Sequence, residues 1–219
     1  MLQPLAQNIV YGILIGSLYG LAAVGLSLVF GVSKFLNVSH GELLMLGGYA
    51  SFWICKGLKI DPFISIPLTI IFLLLIGFIL YRLIFSRLIK LDVDKKIQNS
   101  LLVGFGLSTI LQNIALRLWT ADDRSITTAY SGTSFELAGI RFPAVRLISL
   151  GITIVVLISL QIFLKKTFTG KAIRATVEDC QSASLMGINI HRLYLLAFML
   201  GCGMAGVAGT LVSICYSID

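Results

Sequence analysis

The stretch NIVYGILIGSLYGLAAVGLSLVF, residues 8–30, contains no charged side chain, and the first basic residue of the chain is Lys34. A helix rises 1.5 Å per residue, so about 20 apolar residues cross roughly 30 Å of hydrocarbon. The stretch therefore reads as a membrane-spanning helix. It also lacks the charged opening of a cleavable signal peptide, so it is expected to stay in the mature protein. Five further segments come close to the same length, residues 37–55, 63–81, 100–119, 147–164 and 193–216. The bilayer core offers no water to an open backbone, and these runs do not alternate as barrel strands do. The predicted fold class is an all-α polytopic bundle of about six transmembrane helices, forming a single domain over 1–219.

Composition agrees. The 219 residues are 57% hydrophobic and 12% charged, with a mean hydropathy of +0.95, beyond what one soluble core requires. The formal charge of +7 comes from 17 Lys and Arg against 10 Asp and Glu. These charges cluster between apolar runs and form no nucleic-acid-binding stripe. They report topology instead. One loop carries Arg82, Arg87, Lys90, Lys95 and Lys96, another Lys165, Lys166, Lys171, Arg174 and Arg192. Both belong on the cytoplasmic side of the membrane, which places the N-terminus outside. The outer loop from Thr120 to Arg146 reads equally as a solvated connection or as a short hairpin over 135–142 that turns at Ala138-Gly139.

Chemistry-bearing clusters are sparse. Cys55, Cys180, Cys202 and Cys215 are scattered and read as packing residues without zinc or redox spacing. His40 and His191 fall in different places, and neither a nucleophile–base pair nor a metal cluster is apparent, so no catalytic residue, metal or cofactor is expected. Gly12, Gly16 and Gly20 in the first span, and Gly201, Ala205 and Gly209 in the last, recur every four residues. Each set predicts a smooth face for close helix contact.

Two polar features interrupt the spans. Asn37-Val38-Ser39-His40-Gly41-Glu42 opens the second. Ser39 and Glu42 have capping-box spacing, and the other reading makes Asn37, His40 and Glu42 part of a pathway or gate, as ionisable groups within a membrane often are. Gln112 and Asn113 lie mid-way along the fourth span, either bonding a neighbouring helix or lining a water-filled path. The segment TGKAIRATVEDCQSASLMGINIHR, 169–192, is too polar to span but helical in pattern. A helix over 170–187 is predicted, capped by Thr169, with Ile173, Val177 and Cys180 on one stripe and Gly187 ending it. Such a helix suits a groove on a partner, or the membrane surface.

Four stretches now carry a resemblance: GILIGSLYGLAAVGLSLVFGV at 12–32, NVSHGELLMLGGYAS at 37–51, GLSTILQNIALRLW at 106–119, and GKAIRATVEDCQSASLMGINIHRLYLLAFMLGCGMAGVAG at 170–209. The chain resembles the permease subunits of bacterial ABC importers for branched-chain amino acids. The resemblance implies a second permease subunit, two cytoplasmic ATP-binding subunits that hold the ATP, and an extracytoplasmic amino-acid-binding protein. It implies that 170–187 is the coupling helix, in which Gly170, Arg174, Glu178, Asp179, Ala183 and Gly187 sit against an ATPase. Gly170-Lys171 lacks the upstream glycine and following hydroxyl of a phosphate-binding loop, so ATP belongs to partners. Members of that family continue beyond the position of Thr210 with a further loop and spans. The chain is accordingly expected to be a shortened permease, inactive alone or completed by another chain. A stand-alone secondary transporter or channel, with its own site at His40, Glu42, Gln112 and Asn113, is the competing expectation.

Overall fold

The computed structural model describes residues 2–90, 93–119, 126, 132–137 and 140–216. It is an all-α bundle. The long helices are α1 (Leu2–Ser33), α2 (His40–Leu58), α3 (Pro62–Leu83), α4 (Val93–Trp119) and α5 (Ala144–Lys166), followed by the short α6 (Phe168–Glu178) and α7 (Cys180–Leu185) and the long α8 (Ile190–Cys215). A 3-10 turn at Phe85–Lys90 joins α3 to α4, and a hairpin of β1 (Ser134–Leu137) and β2 (Ile140–Pro143) precedes α5.

Each predicted span thus has its helix, with moved ends. Five of them, α1, α3, α4, α5 and α8, are long and apolar enough to cross a membrane. The second, α2, runs 19 residues from His40, not from residue 37. It is less apolar because His40, Glu42, Gly47, Gly48 and Lys56 lie within it.

Local chemistry sets several boundaries. Asp61 Oδ1 accepts the Phe63 N–H at 2.9 Å and Pro62 occupies the first helical position, which together start α3. Left-handed backbone at Lys34 (φ 58°) and Lys59 (φ 54°) follows the ends of α1 and α2. Asn189 caps α8 by accepting the Arg192 N–H at 3.2 Å.

The centre of the bundle is α8, packed by α1, α2 and α3. Nearly every residue from Leu193 to Ile214 is buried or half-buried, and 72% of its membrane window is enclosed by protein. Its small residues let three backbones approach. Gly201 faces Gly25 of α1, a Cβ on Gly47 of α2 would lie 2.8 Å from Gly206 Cα, and one on Gly209 would run into the Leu44 carbonyl. On the third side Gly77 of α3 admits Cys202, leaving a Cβ there only 2.9 Å from Sγ. Gly201, Ala205 and Gly209 therefore form a close-contact face. The matching expectation for α1 is corrected: Gly12, Gly16 and Gly20 lie on its exposed side with nothing within 4 Å of a Cβ, and contact is made at Gly25 instead.

The hairpin pairs Phe135 with Phe142 and Glu136 with Arg141 in antiparallel register, while its turn at Ala138-Gly139 lies outside the described residues. It is tied to α1 by the Gln7 side chain, whose Nε2 donates to the Arg141 carbonyl and whose Oε1 accepts the Arg141 N–H, both at 2.8 Å. The Arg146 guanidinium lies over the Tyr11 and Tyr216 rings at 5.0 and 5.4 Å, joining α1, α5 and the end of α8.

Candidate functional site

Two regions carry the polar chemistry. The first lies where α1 turns into α2, and α4 leans against that turn and against α2. Asn37, Ser39 and His40 are buried. The Ser39 hydroxyl donates to Asn37 Oδ1 at 2.6 Å and makes no capping bond, so the expected capping box is absent. Glu42 turns away from the helix end altogether and accepts the Ser108 hydroxyl of α4 at 2.9 Å. His40 Nε2 lies 3.1 Å from the Ala22 carbonyl, fastening the start of α2 to the middle of α1 beside Gly25.

Few contacts hold α4, and they are specific. Leu36 N–H donates to Ser100 Oγ at 3.0 Å, Tyr49 stacks on Trp119 with centroids 4.3 Å apart, and Gly104 passes so near the chain at Val38 that a Cβ would be 2.9 Å from its nitrogen. The other side of α4 is bare, with Thr109, Gln112 and Asn113 exposed. Asn113 Nδ2 donates to Thr109 O of its own helix at 2.8 Å rather than to a neighbour. An exposed band bearing two amides and a hydroxyl is poorly matched to lipid tails. The structure thus separates the five predicted pathway residues: Asn37 and His40 are enclosed, whereas Glu42, Gln112 and Asn113 lie at or outside the α2–α4 contact.

The second region is the elbow formed by α6 and α7. The continuous helix expected over 170–187 is corrected to two helices. Thr167, not Thr169, starts α6, its Oγ1 accepting the Gly170 N–H at 2.9 Å. Gly170 is buried against the end of α5, where a Cβ would be 2.6 Å from Leu164 Cα, so this sharp turn needs glycine. Asp179 breaks the run. Its extended backbone (φ −148°, ψ 104°) ends α6, and its Oδ1 accepts the Gln181 and Ser182 N–H groups at 2.9 and 3.2 Å to start α7. The Ser182 hydroxyl donates to the other carboxylate oxygen. That hydroxyl first, then the two N–H groups, hold the Asp179 carboxyl below its ordinary value of 3.8. Gly187, at φ +80°, ends α7 as expected.

The break also undoes the expected apolar stripe. Ile173 is buried in the core and Cys180 is half-buried, but Val177 faces out. Ala183 is buried, whereas Arg174, Glu178 and Asp179 are exposed. At the tip, Leu185 is 89% and Met186 85% exposed. Neither drew notice in the sequence, where a Leu-Met pair before a glycine is an ordinary helix end.

Behind the elbow is a cluster that the sequence did not reveal. Cys180 Sγ lies 3.5 Å from the Tyr194 hydroxyl, Tyr194 meets the Phe35 ring edge-on at 6.1 Å, and the Lys96 ammonium lies over both rings at 5.6 and 5.9 Å. Only 7% of Lys96 is exposed. Its signal in the sequence, one more lysine in a basic loop, was indistinguishable from that of a solvated charge. The elbow, the α1–α2 turn, α4 and α8 thus meet at one point.

Comparison with known proteins follows the same lines. Residues 8–218 match the family described as the branched-chain amino acid transport system permease component. The high-affinity branched-chain amino acid transport system permease protein LivH of Escherichia coli (strain K12) is 30% identical over 224 residues, covering 97% of this chain and 71% of the relative. The protein of that name from Salmonella typhimurium is 29% identical over 221 residues, with the same coverage. A probable branched-chain amino acid transport permease protein LivH from Methanocaldococcus jannaschii is 27% identical over 223 residues, covering 97% of this chain and 68% of its own. No solved structure matches the chain. With a match over nearly its whole length and five helices fit to cross a bilayer, the chain belongs to the permease component family of branched-chain amino acid transport systems, as a multi-pass inner-membrane transport subunit rather than an enzyme.

Proposed function

We propose that this chain is a permease subunit of an ATP-driven importer of branched-chain amino acids, and that the α6–α7 elbow is where a cytoplasmic ATP-binding subunit grips it. The observation that carries this reading is the bare Leu185–Met186 tip on a firmly capped break. A solvated connector gains nothing from two exposed apolar side chains, but a docking element uses such side chains as anchors. Arg174, Glu178 and Asp179 are exposed charges on the same elbow.

With the elbow in the cytoplasm, as the clusters at Arg82–Lys96 and Lys165–Arg192 favour, the N-terminus and the hairpin face outward. An extracytoplasmic binding protein would deliver the amino acid there. The exposed band of α4 bearing Thr109, Gln112 and Asn113, with Glu42 at its inner margin, is the part of the pathway this subunit supplies. A second permease subunit would face it. Asn37 and His40 hold the α1–α2 turn in place and do not touch the amino acid. Movement of the elbow on nucleotide binding would reach α4 through Tyr194, Phe35 and Lys96, switching the bundle as packed bodies rather than by local flexing.

The test is co-expression with candidate ATP-binding and sister permease subunits and purification through a tag on this chain. ATP-binding subunits are expected to co-purify with the wild type and with Arg141→Gln at the far end, and to be lost from the double variant Leu185→Asp, Met186→Asp. Both side chains lie outside the core, so the variant should keep its unfolding temperature. Retention of the ATP-binding subunits by that variant would sink the elbow assignment.

A further inference from the structure

Between α5 and the rest of the bundle the structure leaves open clefts. Helix α5 has a mean hydropathy of 2.6 over its membrane window, yet only 11% of that window is enclosed by protein. One cleft of about 450 Å³ runs between α1, α5 and α6, walled by Val24, Leu28, Val32, Leu160, Leu164 and Ile173. A second of about 340 Å³ shares Val24, Leu160 and Leu164 with it and continues along α5 to Leu157 and Gln161. Arg174 lines both, Lys165 lines the second, and Ser27 and Glu178 complete the polar lining of the first.

The charges all lie at one end, the end that carries the elbow. Arg174 makes no ion pair among the described residues, and Lys166 and Lys171 add positive charge beside Lys165. Glu178 stands one helical turn beyond Arg174, so the mouth keeps a cationic excess. An apolar cleft beside a membrane-spanning helix, with cations at one end, has the chemistry of a phospholipid site.

We propose that the cleft between α1, α5 and α6 binds one anionic phospholipid, its acyl chain lying against Leu28, Leu160 and Val177 and its phosphate held between Arg174 and Lys165. The occupant comes from the bilayer itself, from the leaflet in which the basic clusters sit. Because Ile173 and Val177 belong to α6, the acyl chain forms part of the seat on which the elbow rests. A change in lipid would then alter how stiffly the elbow is held, a consequence that rests on the docking role proposed above; the lipid site itself does not.

The experiment is native mass spectrometry of the full chain released from mild detergent after incubation with equal amounts of phosphatidylglycerol and phosphatidylcholine. One phosphatidylglycerol is expected to remain bound in preference to phosphatidylcholine. Arg174→Gln and Lys165→Gln should each lower that preference about fivefold, the effect of one basic residue beside an anionic headgroup. Gly31→Leu fills the first cleft, where a Cβ meets nothing within 4 Å, and should remove both lipids without lowering the unfolding temperature. Lys56→Gln at the opposite end should leave the preference intact. Equal retention of the two lipids by the wild type would overturn the proposal, as would a preference that survives Arg174→Gln with Lys165→Gln. An equal loss in Lys56→Gln would reduce the effect to general surface charge and overturn it too. Displacement of the bound lipid when a second permease chain is co-purified would assign the cleft to a protein interface instead.

Discussion

Helices α8 and α5 are both long apolar spans, and the more apolar one is the more exposed. The window of α5 has a mean hydropathy of 2.6 with 11% enclosed, against 2.0 and 72% for α8. In water the order would be reversed. In a bilayer, apolarity earns no place at the centre, because lipid tails solvate Leu and Ile as well as protein does. What draws α8 inward is the set of small residues at Gly201, Gly203, Ala205, Gly206 and Gly209, which bring three neighbouring backbones into van der Waals contact. The second peripheral case is α4, held by a few polar and aromatic contacts and 17% enclosed.

The comparison breaks most sharply at single methyl groups. Gly209→Ala places a methyl against the Leu44 carbonyl and Gly48 nitrogen, and should cost about 1–3 kcal/mol, the usual range for overpacking. Gly151→Ala in α5 has open space around it and should be neutral or stabilise by up to about 1 kcal/mol through helix propensity. Thermal unfolding of both variants in one detergent decides the matter. Equal melting temperatures would mean that close packing at α8 is not what organises the bundle.

A smaller effect is expected where α4 meets α2. Ser108→Ala removes the bond to Glu42 and should loosen α4 by about 0.5–1.5 kcal/mol, seen as faster hydrogen exchange in α4 with α8 unchanged. Faster exchange in both helices would show that α4 belongs to the same cooperative unit as the centre.

The elbow provides a pH test outside the membrane. The folded-state pKa of Asp179 lies below 3.8, so its capping stabilisation is fully present above that value and drains away as pH falls through the folded value. Exchange at the Gln181 and Ser182 amides, corrected for intrinsic rates, should stay level from pH 6 down to about pH 4 in the wild type and rise only below that, as pH falls through the folded value. It should be high and pH-independent in Asp179→Ala. The smallest effect belongs to Gly12→Ala, Gly16→Ala and Gly20→Ala, each within about 0.5 kcal/mol of the wild type because each faces open space. A large loss in any of them would reveal a face covered by another chain.

Much of this was legible in the sequence. Helix number and type follow from the lengths of the apolar runs, since a bilayer leaves the backbone little choice. The hairpin pairing and the end of the cytoplasmic segment at Gly187 were readable from turn chemistry. Sequence spacing erred where two explanations share one pattern. Gly12, Gly16 and Gly20 repeat as regularly as Gly201, Ala205 and Gly209, but only a partner's position says which stripe is used. Ser39 and Glu42 have the spacing of a reciprocal cap, yet Glu42 found a better donor in Ser108, 66 residues away. Asp179 reads as one more polar residue on a helix, and its role as a breaker depends on its carboxylate capping the next helix at the Gln181 and Ser182 N–H groups. The cluster of Lys96, Phe35, Tyr194 and Cys180 joins four parts of the chain and leaves no local trace.

The central position of α8 also sets an order of events during synthesis. Helices α1, α2 and α3 leave the ribosome well before the helix around which they pack. Until α8 emerges, Gly25, Gly47 and Gly77 have no surface to close on, and the buried groups near them stand open to lipid or to the insertion machinery. The nascent chain must therefore wait, inserted but unassembled, for more than a hundred residues after α3 is complete. Ribosome stalling before Ile190 should leave that intermediate open to membrane proteases, and synthesis through Cys215 should end the vulnerable period.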